Sequence, residues 1–323
     1  WADRVAPNPG LAETRAEIAR LAGAPVDAVL AFGGGSAMDA AKAIAAGLAP
    51  GLGTRDLAAL IARPELCLAH PPLPVHAVPT TSGTGAEVTP FATIWDHGRR
   101  SKLSLAGPGL YPASATIDPD LTAGLPEGDT ISTGLDALNQ AFESVWNRNR
   151  SPVTQLLAGR AIALALEALP RLHKDRSDAG ARAMMAEASL LAGLCISQTR
   201  TAICHAMSYP LTAHFGLAHG LACAFSMAAV ARLVLREMPG PLAEVAVTTG
   251  AGDAAALVVR LERVLGEVGL ESRLGPIAGA RAGILALGPE MVTPGRSDNF
   301  VLPVDAALLR GVLAAALPPE GAA

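Results

Sequence analysis

Four polar side chains in two apolar segments have the types and spacing of metal ligands. Asp136 and Gln140 stand four residues apart in TGLDALNQAFE, which places them on one face of a helix. His205 and His219 stand fourteen residues apart in ICHAMSYPLTAHFGLAHG. A carboxylate and two imidazoles suit a borderline divalent cation such as Fe²⁺ or Zn²⁺ and leave positions for a substrate oxygen. Each residue alone also fits a structural role, with Asp136 as a helix N-cap, His205 as a core histidine and His219 at a helix entry.

Two glycine-containing segments have the composition of phosphate-binding turns. Gly33, Gly34 and Gly35 follow an apolar stretch and precede Ser36, so bare backbone could approach a pyrophosphate where a helix begins. The second segment, PTTSGTGAEVT, offers hydroxyl groups to phosphate or ribose oxygens. The first turn alone equally fits a tight turn capped by a serine. Two such turns at one edge of a sheet favour a dinucleotide.

Short strands alternating with helices are predicted to position these turns. LAETRAEIARLA has helical spacing, and a second helix is expected to begin near Ser36. Apolar runs predict strands over 28–32, 73–78 and 115–117. This alternation predicts a parallel sheet that binds ligands at the carboxyl ends of its strands.

From about residue 127 onward, long Ala- and Leu-rich segments of helical period predict an all-α half. The clearest of these segments are 154–172, 180–197 and 253–268. We expect Pro210 and Gly216 to turn the chain between the two histidines. A chain of 323 residues exceeds the roughly 250–300 residues that one core usually reaches. We therefore predict an α/β dinucleotide-binding domain at 1–122 and a helical metal-binding and substrate domain at 123–323.

The composition and charge of the chain argue against nucleic acids and membranes as partners. The net charge is −4 and no basic stripe occurs, which argues against nucleic acid. No uninterrupted apolar run reaches roughly 18 residues, so we expect a soluble protein without a membrane segment. The four cysteines form no C-x-x-C pair and lie in apolar contexts, which favours reduced thiols and a cytoplasmic location. The first residues, WADRVAPNPG, do not resemble a signal peptide, and the missing initiator Met suggests absent upstream residues.

Seven segments resemble, in order, those of the iron-containing (group III) alcohol dehydrogenase family, whose fold is shared with dehydroquinate synthase. They are GGGSAMDAAKAIA, VPTTSGTGAEVTPFATIWD, RRSKLSLAGP, IDPDLTAGLP, TGLDALNQAFES, ICHAMSYPLTAHFGLAHG and RSDNF. The resemblance implies an α/β N-terminal nucleotide-binding domain followed by an all-α C-terminal domain, NAD(P)H and Fe²⁺ or Zn²⁺ as cofactors, and a homodimer or larger homo-oligomer. It also implies that the first strand-helix unit of the family is missing, which leaves the choice between NADH and NADPH open.

The resemblance further implies roles for particular residues. Cofactor contacts would come from Gly34, Gly35, Ser36, Asp39, Thr80, Thr81, Thr84, Thr89 and Lys102. Metal ligands would be Asp136, Gln140, His205 and His219.

Two positions depart from the family pattern. Gln140 stands where the family usually has a histidine, and an amide carbonyl is a weaker ligand than imidazole for Fe²⁺ or Zn²⁺. Tyr209 stands where the family commonly has a second histidine, four residues after His205. A tyrosine hydroxyl can hydrogen-bond or relay a proton, although its free pKa is about 10. We therefore treat Tyr209 as the candidate catalytic group.

Three segments, SVWNRN, QTRTAICHAMSYPLTAHFGLAHG and TPGRSDNF, resemble a narrower group, the phosphonoacetaldehyde reductases. These enzymes reduce phosphonoacetaldehyde to 2-hydroxyethylphosphonate in the biosynthesis of phosphonate natural products. Arg200 precedes His205 by five residues, and we expect Arg148 on the helix that follows Asp136. Either guanidinium could pair bidentately with a phosphonate, or could be a solvated surface arginine.

The predicted function is metal-dependent, NAD(P)H-linked reduction of an aldehyde to a primary alcohol. Three alternatives remain open. Another reductase of the family, of maleylacetate or propanediol type, would not need the arginines. A dehydroquinate synthase-like lyase would show no net redox change. A non-catalytic homologue, suggested by Gln140 and Tyr209, would hold no metal. The predicted function requires Asp136, His205 and His219 to converge.

Overall fold

The computed structural model describes residues 2, 5–52, 56–99 and 101–317. These residues form two compact units, which divide between Thr122 and Ala123. The first unit is α/β and the second is helical, so the predicted fold class is confirmed. The outer ends of the predicted domain ranges, residues 1 and 323, lie outside the described residues.

The first unit contains two small sheets. Its strands are β1 (Val29–Gly33), β2 (Val75–Pro79), β3 (Phe91–Asp96), β4 (Ser101–Ala106) and β5 (Ser114–Ala115). Strands β1, β2 and β5 form a parallel sheet in the order β1-β2-β5, as the alternation of strands and helices predicted. Strands β3 and β4 form an antiparallel hairpin that was not predicted. The alternation of polar and apolar residues in SKLSLA, with Leu105 buried, is its sequence signal.

Four helices accompany these strands in the described part of the unit: α1 (Leu11–Leu21), α2 (Gly35–Gly47), α3 (Leu57–Ala62) and α4 (Leu66–Ala69). Helix α2 is rich in alanine and packs against β1, β2 and β3. Its small side chains let its backbone lie close to the sheet. This packing fixes the start of α2 beside the carboxyl end of β1.

The second unit has no β-strand among its described residues, and its helices surround one continuous apolar core. The helices are α5 (Glu127–Val145), α6 (Pro152–Lys174), α7 (Ala179–Thr199), α8 (Ile203–Phe215), α9 (His219–Glu237), α10 (Gly240–Ala246), α11 (Ala254–Glu267), α12 (Leu270–Arg273), α13 (Arg281–Ala286) and α14 (Ala306–Ala316). Helix α5 packs against α6, α7 and α9, and every residue from Leu135 to Val145 is buried. Polar residues in this stretch therefore need partners inside the unit.

Two local predictions in this unit are wrong. Helix α8 continues through Pro210, so only Gly216, with φ 66°, ends the helix and turns the chain. A proline removes one hydrogen bond from a helix, and the packed surroundings of α8 tolerate that loss. Arg148 does not lie on a helix, because α5 ends at Val145 and α6 begins at Pro152. The side-chain oxygen of Asn147 accepts a hydrogen bond from the backbone N–H of Asn149, and this bond stabilises the turn between the two helices.

Three helices, α6, α7 and α9, are long and apolar enough to cross a membrane when only length and composition are considered. Between 56% and 61% of their apolar windows is buried inside the described structure. The same side chains build the core of the helical unit, which accounts for their hydropathy.

Candidate metal centre

Four side chains of the helical unit meet in one cluster. Asp136, His205, His219 and Cys223 each offer one ligand atom, and these atoms all lie within 4.8 Å of one another. Nε2 of His205 lies 3.3 Å from Oδ1 of Asp136, and Sγ of Cys223 lies 3.8 Å from Nε2 of His219. All are buried except the partly buried His219. The structure thus brings together the three side chains whose convergence the sequence prediction required, and it adds a fourth.

Three helices supply this cluster. Asp136 comes from the buried half of α5, and His205 from the first turn of α8. His219 and Cys223 are one turn apart on α9, so they share a face of that helix. The spacing H-x-x-x-C was the available sequence signal for Cys223, but it is weaker than a C-x-x-C pair and was missed.

Gly220 lets the first turn of α9 approach α5. A Cβ atom at this position would lie 1.8 Å from the carbonyl oxygen of Ser132, far inside van der Waals contact. Because that oxygen belongs to the helix backbone, it cannot rotate away as a flexible side chain could. Glycine at this position therefore allows His219 to stand beside the helix that carries Asp136.

We expect Gly220→Ala to separate α9 from α5. Overpacking of this kind costs about 1–3 kcal/mol of stability, and displacing a reacting group by about 1 Å costs on the order of 10²-fold in rate. Metal affinity measured by chelator competition should fall together with kcat/KM. Gly266→Ala is the matched control, since a Cβ at this exposed position of α11 meets nothing within 4 Å. Unchanged metal affinity in Gly220→Ala would contradict the argument.

Glu143 orients His205 from the side opposite Asp136. It lies on α5, is 0% exposed, and its Oε2 lies 2.7 Å from Nδ1 of His205. The same carboxylate accepts hydrogen bonds from the backbone N–H groups of Ala202, Cys204 and His205. This arrangement holds the proton of His205 on Nδ1 and presents Nε2 to the cluster, as in carboxylate–histidine–metal triads. Glu143 was missed by the sequence analysis, although its place seven residues after Asp136 puts it on the same helix face.

The electrostatic environment of the cluster favours a cation. Burial works to lower the pKa of His205, but the charges of Cys223 and Glu143 and the hydrogen bond to Asp136 outweigh burial and raise it well above its usual range. Burial works to raise the pKa of the Cys223 thiol, but His205 and His219 lower it to about 7. By contrast, burial raises the pKa of Cys195 to about 12. The carboxylates of Asp136 and Glu143, together with a thiol whose pKa is lowered, place negative charge around the cluster, which would stabilise a bound cation.

The residues present fit a tetrahedral divalent metal. Ligand atoms held about 2.0–2.3 Å from Zn²⁺ stand roughly 3.3–3.8 Å from one another. The Asp136–His205 and His219–Cys223 separations, 3.3 Å and 3.8 Å, fall at the two ends of that range, and all separations lie within 4.8 Å, so a contraction of up to about 1 Å would complete the site. Carboxylate, imidazole and thiol groups are all common ligands of such ions.

The two departures from the family pattern lie next to this cluster. Gln140 is buried one turn after Asp136, and its backbone carbonyl accepts a hydrogen bond from Ser144. The ring of Tyr209 stacks on His219, with centroids 6.3 Å apart. The Tyr209 hydroxyl accepts a hydrogen bond from Nε of Arg296 at 3.3 Å. Arg296 is the first residue of RSDNF, one of the segments that resemble the family, but it was not among the predicted site residues.

Arg200 occupies an unusual backbone conformation beside this region. Its φ and ψ are 59° and 176°, a combination that side-chain-bearing residues rarely adopt. Asparagine side chains fix the turn: Asn147 donates to the Arg200 carbonyl, Asn149 to that of Thr199 and Asn299 to that of Thr201. The three segments that resemble the narrower group thus converge on this turn.

Arg200 and Arg296 lie close enough to influence each other. Partial desolvation, together with the charge of Arg296, lowers the pKa of Arg200. Two neighbouring guanidinium groups repel each other, and an anion between or beside them would offset that repulsion. Arg148, exposed in the turn after α5, donates its Nε–H to the carbonyl of Phe300 at 2.7 Å. That hydrogen bond orients its guanidinium and ties the turn to residues 299–301.

The two predicted glycine turns lie side by side in the first unit. Gly33 pairs with Pro79 at the carboxyl ends of β1 and β2, and the backbone N–H of Thr80 donates to the Gly33 carbonyl. A Cβ on Gly35 would lie 2.5 Å from the Thr84 side chain, and one on Gly34 would lie 3.1 Å from that of Thr81. Helix α2 begins at Gly35 with no side-chain cap, so Ser36 lies inside the helix rather than at its N-cap. The Ser36 hydroxyl instead accepts a hydrogen bond from the N–H of Asn8.

Asp39 lies one turn into α2 and is held against the hairpin. Its carboxylate accepts a hydrogen bond from the backbone N–H of Thr93 on β3. Burial raises the pKa of Asp39, against the lowering effects of Lys42 and Lys102. Lys102 lies on β4 opposite Trp95, close enough to act on this carboxylate.

Lys42 is an interior lysine of α2, 1% exposed. It donates to the backbone carbonyls of Thr89 and Phe91, and to the Thr89 hydroxyl at 3.4 Å. Burial lowers its pKa to about 8, although the charges of Asp39 and Glu87 work in the opposite direction. Both oxygens of Thr89, a predicted cofactor contact, therefore lie against this ammonium group.

The α/β unit with paired glycine turns, followed by a helical unit with an Asp/His cluster, is the architecture of the dehydroquinate synthase-like fold. The sequence profile of the Fe-containing alcohol dehydrogenase family, C-terminal, matches residues 130–279, and that of iron-containing alcohol dehydrogenase matches residues 1–119. The chain belongs to the iron-containing alcohol dehydrogenase family.

Individual relatives have related names. A phosphonoacetaldehyde reductase of Streptomyces viridochromogenes is 44% identical over 210 residues, which are 64% of this chain and 53% of that protein. A probable alcohol dehydrogenase of Escherichia coli is 35% identical over 278 residues, which are 85% of this chain and 69% of that protein. The chain thus spans about half the length of the first of these relatives.

Among solved structures, the sulfoacetaldehyde reductase from Bifidobacterium kashiwanohense in complex with NAD⁺ superposes with a TM-score of 0.85. It is 29% identical, and the match covers 97% of this chain and 82% of that one.

Proposed function

We propose that this chain belongs to a metal-dependent aldehyde reductase, which uses NAD(P)H to convert an aldehyde to a primary alcohol. The observation that carries the proposal is the meeting of Asp136, His205 and His219 in one buried cluster. These residues, with Gln140 one turn from Asp136, would hold Fe²⁺ or Zn²⁺. Such an ion, when bound, supplies Lewis acidity that polarises a carbonyl group. We further propose a cytoplasmic enzyme that forms a homodimer or larger homo-oligomer.

NAD(P)H would supply the hydride, and the first unit would bind this cofactor. The backbone at Gly34 and Gly35 offers a close approach to a pyrophosphate, and Ser36 follows in the first turn of α2. The other proposed contacts are Asp39, Thr80, Thr81, Thr84, Thr89 and Lys102. Hydride transfer belongs to the cofactor chemistry, while the protein contributes binding and orientation.

Tyr209 is the proposed proton-handling group. Its ring stacks on His219, and its hydroxyl accepts a hydrogen bond from Arg296. A hydroxyl in this place can hydrogen-bond the product oxygen or pass it a proton. Since Arg296 already donates to the oxygen, the hydroxyl proton is directed away from the guanidinium.

For the substrate, we propose a small aldehyde that carries an anionic group, with phosphonoacetaldehyde as the first candidate. The product would be 2-hydroxyethylphosphonate. Arg200 and Arg296 lie near each other, and Arg296 is linked through Tyr209 to the cluster residue His219. Arg148 would contribute from the adjoining turn. Two relatives, one phosphonoacetaldehyde reductase and one sulfoacetaldehyde reductase, are named for acetaldehydes that carry a tetrahedral oxyanion.

The test is oxidation of NADH and NADPH by the purified protein with phosphonoacetaldehyde, sulfoacetaldehyde and propionaldehyde. Each reaction is run with Fe²⁺, Zn²⁺ or Mn²⁺ and with a chelator. We expect metal-dependent turnover, with the highest kcat/KM for phosphonoacetaldehyde. A preference for sulfoacetaldehyde would keep the reaction but change the substrate, and faster reaction of propionaldehyde would refute the anionic substrate. No turnover of any aldehyde under these conditions would refute the reductase.

Removing the guanidinium of Arg200 should affect only the anionic substrates. A hydrogen bond to a charged group contributes about 1.5–3 kcal/mol, so Arg200→Gln should lower kcat/KM for phosphonoacetaldehyde roughly 10- to 150-fold. The same variant should leave propionaldehyde reduction nearly unchanged. We expect Arg296→Gln to lower kcat/KM for both aldehydes, because Arg296 also donates to Tyr209, and Arg148→Gln to act like Arg200→Gln but more weakly. Arg160→Gln is the control, because Arg160 pairs with Glu187 on the surface of α6 and α7. Equal losses on both aldehydes in Arg200→Gln would indicate a structural effect instead.

A further inference from the structure

We propose that Cys223 is a direct ligand of the metal and takes the place that the family pattern gives to residue 140. This inference rests on the proposed metal site and makes Cys223, instead of Gln140, the fourth protein ligand beside Asp136, His205 and His219. The first argument is distance. Sγ of Cys223 lies 3.8 Å from Nε2 and 3.9 Å from Nδ1 of His219. It also lies within 4.8 Å of the ligand atoms of Asp136 and His205.

The second argument is how Cys223 is held. Asn139 of α5, 0% exposed, donates its side-chain N–H to the Cys223 carbonyl. The close approach at Gly220 fixes the preceding turn of α9 against the same helix. Cys223 is thus anchored on both sides to the helix that carries Asp136. A residue whose backbone is held in this way loses little backbone freedom when its side chain binds a cation.

The third argument is the contrast with the other cysteines. Cys195 and Cys204 are as deeply buried, yet neither belongs to the group of potential ligands found among the described residues. The Cys195 thiol donates to the carbonyl of Thr154, an ordinary packing contact between helices. Burial alone therefore does not account for the position of Cys223.

Thiolate ligation has a consequence for metal choice. A soft sulfur ligand favours Zn²⁺ among the ions proposed here, whereas carboxylate and carbonyl groups suit Mg²⁺ or Mn²⁺. Binding would release the thiol proton to solvent. Zn²⁺ expands to five ligands in some catalytic sites, so four protein ligands are compatible with aldehyde reduction.

Zinc K-edge X-ray absorption of the zinc-loaded protein tests this directly. We expect one sulfur neighbour at about 2.3 Å beside nitrogen and oxygen neighbours at about 2.0–2.2 Å. The sulfur neighbour should vanish in Cys223→Ser and remain in the matched control Cys195→Ser. Gln140→Leu should retain it. The Co²⁺-loaded wild type should show a near-ultraviolet sulfur-to-cobalt charge-transfer band, which requires no variant to fold.

Affinity gives a second readout. Zinc affinity from chelator competition should fall in Cys223→Ser by more than the roughly 10- to 100-fold caused by losing an outer-shell partner. A wild-type spectrum with only nitrogen and oxygen neighbours, or unaltered zinc affinity in the folded serine variant, would overturn the proposal. Neither measurement uses an aldehyde. A protein that binds zinc through sulfur but reduces no aldehyde would refute the proposed function and leave this inference standing.

Discussion

Asp136→Asn should remove the bound metal and lower kcat/KM by on the order of 10³-fold or more. A Lewis acid supplies several kcal/mol to the transition state, and each 1.36 kcal/mol corresponds to about a tenfold change in rate. Asn has the shape of Asp, so the packing of α5 should survive. A neutral amide, however, cannot offset the charge of a divalent cation beside His205, whose Nε2 lies 3.3 Å from Asp136. Metal content by atomic emission and steady-state kinetics would measure the two effects.

The control for this variant is Asp129→Asn. Asp129 lies exposed in the first turn of the same helix, two turns before Asp136. We expect it to keep both its metal and its activity. If Asp136→Asn retained wild-type metal content and turnover, the cluster would not be the metal site.

Glu143→Gln should have the largest effect on stability. One carboxylate accepts hydrogen bonds from three backbone N–H groups and from the His205 ring, and it is 0% exposed. An amide has one acceptor oxygen, and its NH₂ group would face donors. Breaking one partner of a buried charged network costs about 3–5 kcal/mol, which denaturant unfolding would detect. Metal affinity of the folded fraction should also fall roughly 10- to 100-fold, as for other groups that orient a histidine ligand.

Glu187→Gln provides the comparison for a surface carboxylate. Glu187 pairs with Arg160, and both side chains are about half exposed, at 47% and 56%. Such pairs contribute about 0–1 kcal/mol, so this variant should unfold almost as the wild type does. A loss in Glu143→Gln no larger than in Glu187→Gln would mean that Glu143 does not hold the 202–205 segment.

The large elements could be predicted because their signals are local. Helical periodicity located α6, α7 and α11 to within about two residues, and the glycine turn marked the start of α2. Pro210 shows the limit of local signals. Proline usually ends a helix, but tertiary packing keeps α8 continuous through it.

Some residues of the candidate metal site could likewise be predicted from the sequence, and others could not. Asp136, His205 and His219 could be named because each lies in a segment that resembles a known family. Cys223 and Glu143 could not be assigned, because a single cysteine or glutamate in an apolar helix is usually a packing residue. The approach of α9 to α5, allowed by Gly220, gives the thiol its neighbours, and the packing of the start of α8 on α5 gives the carboxylate its neighbours.

The positions of the arginines could not be predicted, because they depend on the turns as well as on the helices. Arg148 was predicted on a helix that in fact ends at Val145. Arg296 is separated from Arg200 by almost a hundred residues, and no periodicity relates them. Their proximity depends on side-chain amides that join distant turns, which sequence spacing does not reveal.

The backbone at Arg200 has a consequence for how an anion would be recognised. Its conformation is one that glycine adopts freely and that costs other residues about 1–3 kcal/mol. Glycine at this point would make the chain more stable but would remove a cation. Because arginine occupies this position, the free energy of the strained backbone is supplied during folding and not when a ligand binds. The turn is then already ordered when a ligand arrives, so little loop entropy is lost on binding and more of the charge interaction appears as affinity.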